Sequence, residues 1–522
     1  MAGFLAAATV VFLGLFGCSK SNSNDHTLTL SLAGEPTVLN PILSTDTGSS
    51  TVQSFVFNGL LKVNENLQFE PDLAESYTVS SDGLIYTFRL KKGVKWQDGK
   101  PFTSADVLFT FERLLDPKTK TVRRSSYVID EVPIVFKAPD DYTFQATLPK
   151  PFAPALASLA TDILPKHLLD GQDINTATFN RQPVGTGPFK LTKWQAGAFL
   201  KLDRNPTYFG TAPKLNSVIL KIIPNEVTAL AAFERGELDM VGVPIKDIQR
   251  ISQKEKTRIL RYYPLQYDYL SFNLKNALFK DVKVRKAIAY AINKPALVKG
   301  VLQGYGTQVD IPESPSMWTY PKKLGFEAYT YQPETAKKLL AEVGFKPGND
   351  GILVKGNQRF EFTVITRAGN KDREKAAQIL QKYLADVGIK MNIQSMEWGA
   401  MLQRVNAPTD PKPFDAVVLG WFSGIEPDSY SIWHSSQYPN GFNFVAYSNP
   451  KVDTWLAQAR TTVDRGARKT IYQLIYNEIG REVPYIFLYV PESVTAVHDG
   501  VTGLSKPGPA GLMVHIESVD VE

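Results

Sequence analysis

Cysteine is almost absent from these 522 residues; the single one is Cys18. Beyond it, no disulfide, cysteine-based metal site or thiol nucleophile can form. A chain this long can build its core without such staples. Histidine is scarce as well. His26, His167, His434, His498 and His515 are the full set, and none is paired at metal-binding spacing. There is no G-x-S-x-G elbow and no H-E-x-x-H pair. Gly93 to Gly99-Lys100 has the wrong spacing for a phosphate loop, and Pro101 stands where a Ser or Thr would hold magnesium. Gly185-Thr186-Gly187-Pro188 has two glycines of a dinucleotide fingerprint, but Lys190 replaces the third and the proline argues against an open helix N-terminus. Carboxylates are plentiful, yet no spacing singles out a glycosidase pair. Charge is not concentrated either: 58 basic and 52 acidic residues leave a net +6 without a basic block, which gives no footprint for nucleic acid. No internal repeat is present. These absences point away from an enzyme and imply no cofactor and no metal.

Long apolar runs are also missing, with one exception at the start. Residues 4–17 carry no charge and run into Cys18, followed by the polar stretch SKSNSND (19–25). The run is shorter than the about 20 residues a membrane span needs, and it fits a secretory h-region. Leu15-Phe16-Gly17-Cys18 resembles the lipobox of bacterial lipoproteins, although no Lys or Arg precedes the cysteine. The expectation is a signal segment at 1–17, a lipidated Cys18 and a flexible tether at 18–25. Anchoring would be through lipid alone, with the body outside the membrane.

About 500 residues is a length for two or three domains. The strand pattern of 27–32 is followed by a turn at Gly34-Glu35-Pro36 and a helix expected near 50–61. Thr103 and Asp106 are spaced to cap a helix running through Val107, Phe111 and Leu114. Strands at 85–90, 217–223, 360–366, 390–395, 414–421 and 485–489 alternate with helices at 226–235, 283–292, 333–343, 372–387, 452–461 and 468–479. Such alternation favours an α/β architecture with mixed sheets. Trp96, Trp398, Trp421 and Trp433 lie beside Gly, Asp or Pro residues. They fit either packing between sheets and loops or the wall of a ligand cleft.

Longer stretches are recognisable. GEPTVLNP (34–41) precedes VFNGLLKVNENLQFEPDLAESYTVSSDGLIYTFRLKKGVKWQDGKPFTSADVLFTFERL (56–114). PVGTGPFKL (183–191), YLSFNLKNALFKDVKVRKAIAYAIN (269–293), YQPETAKKLLAEVGF (331–345), FDAVVLGW (414–421), NFVAYSNPKVDTWL (443–456) and REVPYIFLY (481–489) follow. Together they strongly resemble the family 5 extracellular solute-binding proteins of ABC transporters, the dipeptide/oligopeptide-binding group. The resemblance covers nearly the whole chain after the tether.

The resemblance implies a two-lobed periplasmic-binding-protein-like fold of type II, of the large cluster with an extra domain, with mixed sheets joined by a hinge. Lobe I would take 26–60, 185–268 and 490–522, the extra domain 61–184 and lobe II 269–489. It implies a monomeric receptor of the cell envelope, periplasmic or on the outer face, that captures di- or oligopeptides and hands them to ABC permease subunits. In peptide-binding relatives the ligand pairs through its main chain with both lobes. The matching segments are Gly34, Glu35 and Pro36 from one lobe and Trp421, Phe422, Ser423 and Gly424 from the other, with Tyr269, Asn273 and Trp398 near the cleft. His434 and its neighbours 433–437 are expected at its border. One departure stands out. Relatives often carry W-x-x-D, whose Asp pairs with the peptide ammonium, and here Gly424 occupies that position. A buried ammonium needs a partner, so either Glu426 or Asp428 takes over, or the ligand has no free ammonium there. A sugar, an opine or a metal chelate such as nickel is then the alternative. A secreted hydrolase, a chaperone or a signalling receptor is the alternative outside the class.

Overall fold

The computed structural model describes residues 26–522. The signal segment, Cys18 and the tether fall outside the described residues. Among these, no helix is long and apolar enough to cross a membrane.

The strand Thr27–Leu32 buries Leu28, Leu30 and Leu32 on one face, as its period of two dictates. It runs parallel to Ser217–Ile222, with Thr27 opposite Ser217. Phe199–Arg204 and Phe189–Gln195 extend this sheet antiparallel. Beside it, Met240–Gly242 and Thr257–Tyr262 flank Ser493–His498 in a three-stranded sheet. The first helix is Thr47–Val56, not 50–61 as expected. Asp46 accepts the Ser49 amide proton at 2.7 Å and sets the start, and the chain turns extended at Phe57.

Between these segments lies an antiparallel sheet in the order Ala74–Val79, Ile85–Leu90, Thr143–Thr147, Val135–Asp140. The helix Ser104–Leu115 crosses it, begun by a capping box of Thr103 and Asp106. Its Phe111 stacks on Phe136 and Phe144 at 4.7 and 5.3 Å. One unbroken apolar cluster runs from Leu28 and Leu220 of the first sheet to Phe88 and Phe144 of this one. The segment Gly185-Thr186-Gly187 threads between them. A Cβ at Gly185 would run into the Val56 carbonyl, and one at Gly187 would lie 2.5 Å from the Val56 carbonyl carbon. The Gln97 side chain seals the crossing: its amide donates to the Phe189 and Gly187 carbonyls at 2.8 and 3.2 Å, and its oxygen accepts from Gly185 N at 3.0 Å. These glycines serve close backbone packing and not a phosphate.

The second lobe is built on a six-stranded sheet. Glu361–Arg367 runs parallel to both Lys390–Met396 and Ala416–Phe422. Gln266–Phe272 is antiparallel to Ala416–Phe422 and to Tyr485–Pro491, and Gly306–Gln308 closes the edge. Separate apolar clusters fill its two faces. The chain passes between lobes at Tyr262 to Gln266 and again at Pro491 to Ser493. Because the ladders hold Gln266–Phe272 and Tyr485–Pro491 entire, residues 266–268 and 490–491 sit in the second sheet.

Candidate ligand cleft

The two crossings define an edge on each lobe. In the second lobe, Gln266 pairs with Phe422, so the carboxyl ends of the parallel strands point toward the crossings. In the first lobe, Ala33 and Ile223, just past the parallel pair Thr27–Leu32 and Ser217–Ile222, share a hollow of about 320 Å³ with Gly242 and Val494, beside the crossings. Carboxyl ends of parallel strands from both lobes therefore converge, which is where open α/β sheets bind ligands. Asp372 and Glu226, in the first turns of Lys371–Ala385 and Glu226–Glu234, come from opposite lobes. Partial burial raises the Asp372 carboxyl, and the charges of Asp268 and, across the gap, Glu226 push it further.

On the first lobe, Gly34 and Glu35 hang free of the sheet while Pro36 is buried. The Glu35 carboxylate is already used: Trp194 Nε1 donates to Oε1 at 2.6 Å and Gly197 N to Oε2 at 2.8 Å. On the second lobe, the Ser423 amide donates to the Leu265 carbonyl at 2.7 Å, tying the strand end to the crossing. Phe422 is 75% exposed and Phe442 51% exposed, with Trp421 edge-on to Phe442 at 5.7 Å. Trp398 starts the helix Trp398–Val405 and lies under the Arg367 guanidinium at 5.2 Å. Gly34, Glu35, Trp398, Trp421, Phe422, Ser423 and Gly424 thus occupy the cleft edges. No hydrogen bond among the described residues uses the backbone of Gly34, Glu35, Gly424 or Ile425.

Four expectations require correction. Tyr269 is fully buried and stacks on Tyr485 at 4.2 Å, beneath the floor. Asn273 lies past the far end of Gln266–Phe272, roughly 23 Å from the crossing at about 3.3 Å per residue. Its amide donates to the Lys412 and Phe414 carbonyls at 3.1 and 2.9 Å, a purely local bracket. Of the two readings open for the tryptophans, packing holds for Trp96 and Trp433, which are 0% exposed and belong to cores. The stretch after Trp433 is tied inward: Ser435 donates from N and Oγ to Asp453, and the His434 ring stacks on Tyr430 at 4.1 Å. Finally, neither proposed anchor is free. Arg468 donates to both Glu426 oxygens at 3.0 and 2.9 Å, and Arg460 pairs with Asp428 at 2.8 Å. At Gly424 the nearest atoms to a built Cβ are 3.9 Å away and the backbone is not left-handed, so nothing in the geometry demands glycine.

One pair escaped the reading of the sequence. Arg373 donates to both oxygens of Asp268 at 2.9 Å in the cleft floor. Burial works against the guanidinium charge and Asp268 outweighs it, so Arg373 is held above its ordinary value. The pair has room only because residue 420 is glycine: a Cβ there would collide with both side chains. A lone glycine inside the apolar strand VVLGW was the available signal.

Residues 68–443 match the profile of the bacterial extracellular solute-binding proteins, family 5, middle region. The chain belongs to that family. It is 36% identical over 525 residues to the oligopeptide-binding protein AppA of Bacillus subtilis (strain 168), covering 96% of this chain and 95% of that one. The solved structure of AppA in complex with a nonapeptide matches it with a TM-score of 0.77 over 95% of this chain and 99% of that one. The dipeptide-binding protein of Escherichia coli (strain K12) is 30% identical over 522 residues, 95% of each chain. NikZ from Campylobacter jejuni, solved in complex with Ni(L-His), is 29% identical with a TM-score of 0.79, over 95% of this chain and 99% of that one. The two-lobed fold expected of the family is the fold observed.

Proposed function

We propose that this protein is an extracytoplasmic receptor that captures peptides between its lobes and delivers them to an ABC importer, without converting them. The observation that carries the reading is the set of unbonded backbone segments, Gly34–Glu35 and Gly424–Ile425, on opposite cleft edges. An extended peptide satisfies such groups by strand addition, which is indifferent to side chains. Phe422, Trp398 and Trp421 supply apolar area beside them. AppA and the E. coli dipeptide-binding protein support the same assignment. Retention at the envelope, periplasmic or outer-face, would come from lipid on Cys18, with the protein acting as a monomer beside its permease.

A second reading has its own observation. With Gly424 in place of an acid and Glu426 and Asp428 engaged, a non-peptide ligand such as a metal chelate has no missing ammonium partner to explain. NikZ, with its Ni(L-His) complex, is a relative of that kind. Mass spectrometry of the small molecules released on unfolding the natively purified protein decides between them. A ladder of short peptides supports the first reading; a single non-peptide compound or metal complex removes it.

A further inference from the structure

A second hollow, of about 240 Å³, lies where the extra domain meets the second lobe. Tyr77 and Tyr86 face it from the extra domain; Trp318, Glu426, Arg465 and Arg468 face it from the second lobe. It adjoins the cleft edge, because Ile425 and Glu426 directly follow Gly424 and also line it. Its charges do not balance. Arg468 is matched by Glu426 and the neighbouring Arg460 by Asp428. The Arg465 side chain has no hydrogen bond and no ion pair among the described residues, and its guanidinium instead lies over the Trp318 ring at 4.5 Å. Burial and the charge of Arg468 pull the Arg465 guanidinium below its ordinary value, with Glu426 opposing. No residue of the extra domain in the lining is acidic. The Arg468 side chain is only 9% exposed, and its Nε also lacks a partner.

A half-buried cation over an indole, with one positive charge in excess, suits an anion. A planar carboxylate suits it, because guanidinium binds carboxylate through two parallel hydrogen bonds. We propose that this hollow is a carboxylate-binding subsite, in which Arg465 holds the C-terminal carboxylate or an acidic side chain of a peptide that leaves the cleft edge at Gly424 and Ile425. The inference rests on the peptide reading above. It gives the cleft a polarity: main-chain pairing along the strand ends, without a carboxylate at 424, and a cation just beyond Ile425. The ligand would then be fixed by its negative end, not by its ammonium.

The test uses random-sequence synthetic peptides made twice, with free C-terminal carboxylates and as C-terminal amides, offered to the full-length protein. Retained peptides are identified by mass spectrometry and affinities compared by competition. The expected result is a preference of roughly ten-fold for the free acids, abolished in Arg465→Met and kept in Arg465→Lys. If an acidic side chain is the source, amides are retained with Asp and Glu enriched, and Arg465→Met removes the enrichment. Equal retention of acids and amides without acidic enrichment overturns the subsite while leaving the peptide reading intact. A preference that survives in Arg465→Met overturns it as well. Retention of neither library removes the peptide reading and the subsite together. The wild-type comparison stands by itself if the Met variant fails to fold.

Discussion

The extra domain meets the two lobes in two different ways. Against the first lobe it shares a continuous apolar core, its backbone pressed so close that Gly185 and Gly187 have no space for a side chain. Against the second lobe it makes less: the Ala153 amide donates to the Arg460 carbonyl at 2.6 Å, the Arg460 guanidinium lies over Phe152 at 5.6 Å, Leu67 packs with Leu265 and Met317 in a small apolar cluster, and between them lies a hollow. A shared core can be separated only by exposing it to water, at about 25 cal/mol for each Å². One backbone hydrogen bond and one cation–π contact are together worth about 1–2 kcal/mol, and the small cluster around Leu67 adds a few side chains to that. The first junction is therefore much the larger of the two. The expectation is that the extra domain travels with the first lobe and that the second lobe closes on both.

The largest effect tests the larger junction. In Gly185→Ala the new methyl must displace the Val56 carbonyl and disturb the Gln97 hydrogen bonds. Backbone cannot step aside as a flexible side chain would. A loss of about 3 kcal/mol or more in stability is expected, read by denaturant unfolding. If the substitution costs under about 0.5 kcal/mol, the close crossing is not a rigid seam.

The same junctions show what the sequence made legible. The alternation in 27–32 and the Thr103 cap are local signals, and both appear where expected. The expectation of cleft edges at Gly34 and at Trp421 to Gly424 came from the family resemblance and from no local pattern. What the sequence concealed were pairings between distant positions. Arg468 stands 42 residues from Glu426, and Arg373 stands 105 from Asp268. No local pattern reports that a carboxylate is already neutralised. Tyr269 and Asn273 failed for another reason: resemblance places a residue on a strand, but its burial depends on which face and which end of the strand it occupies.

On the hinged side, the next effect belongs to Glu426. Removing it in Glu426→Ala leaves Arg468 charged, largely buried and beside the equally unpaired Arg465. A fully buried pair broken in this way costs about 3–5 kcal/mol; with a hollow admitting water, about 2 kcal/mol is expected. Because the lost partner is structural, thermal unfolding should shift while any ammonium preference stays unchanged. A selective loss of affinity for peptides with free N-termini, at constant stability, would restore Glu426 as an anchor.

Gly424→Asp is a smaller and opposite change. The space is open and the backbone accepts any residue. Stability should move by less than about 0.5 kcal/mol. With the ligand's negative end just beyond Ile425, the new carboxylate opposes it, so affinity for peptides with a free C-terminal carboxylate should fall about five-fold relative to their C-terminal amides. Calorimetric titration of the two forms measures it. A gain for peptides with a free ammonium over their N-acetylated forms would instead place the ligand's amino end at 424.

The smallest effect isolates the closing contact itself. Arg460 joins Asp428 and Tyr430 of its own lobe to Phe152 of the extra domain. In Arg460→Ala the backbone bond from Ala153 remains possible, so only the side-chain bridge is lost. A contact present only in the closed state changes affinity by no more than its own contribution to that state. A loss of about three-fold in ligand affinity is expected, carried by faster dissociation, with the unliganded protein shifted toward wider scattering profiles. The matching change at the other junction, Gln97→Ala, should lower stability and leave the dissociation rate of bound ligand alone, since that seam does not open. If both substitutions altered dissociation equally, the two junctions would be alike in kind, and the extra domain would have to move as a third independent body.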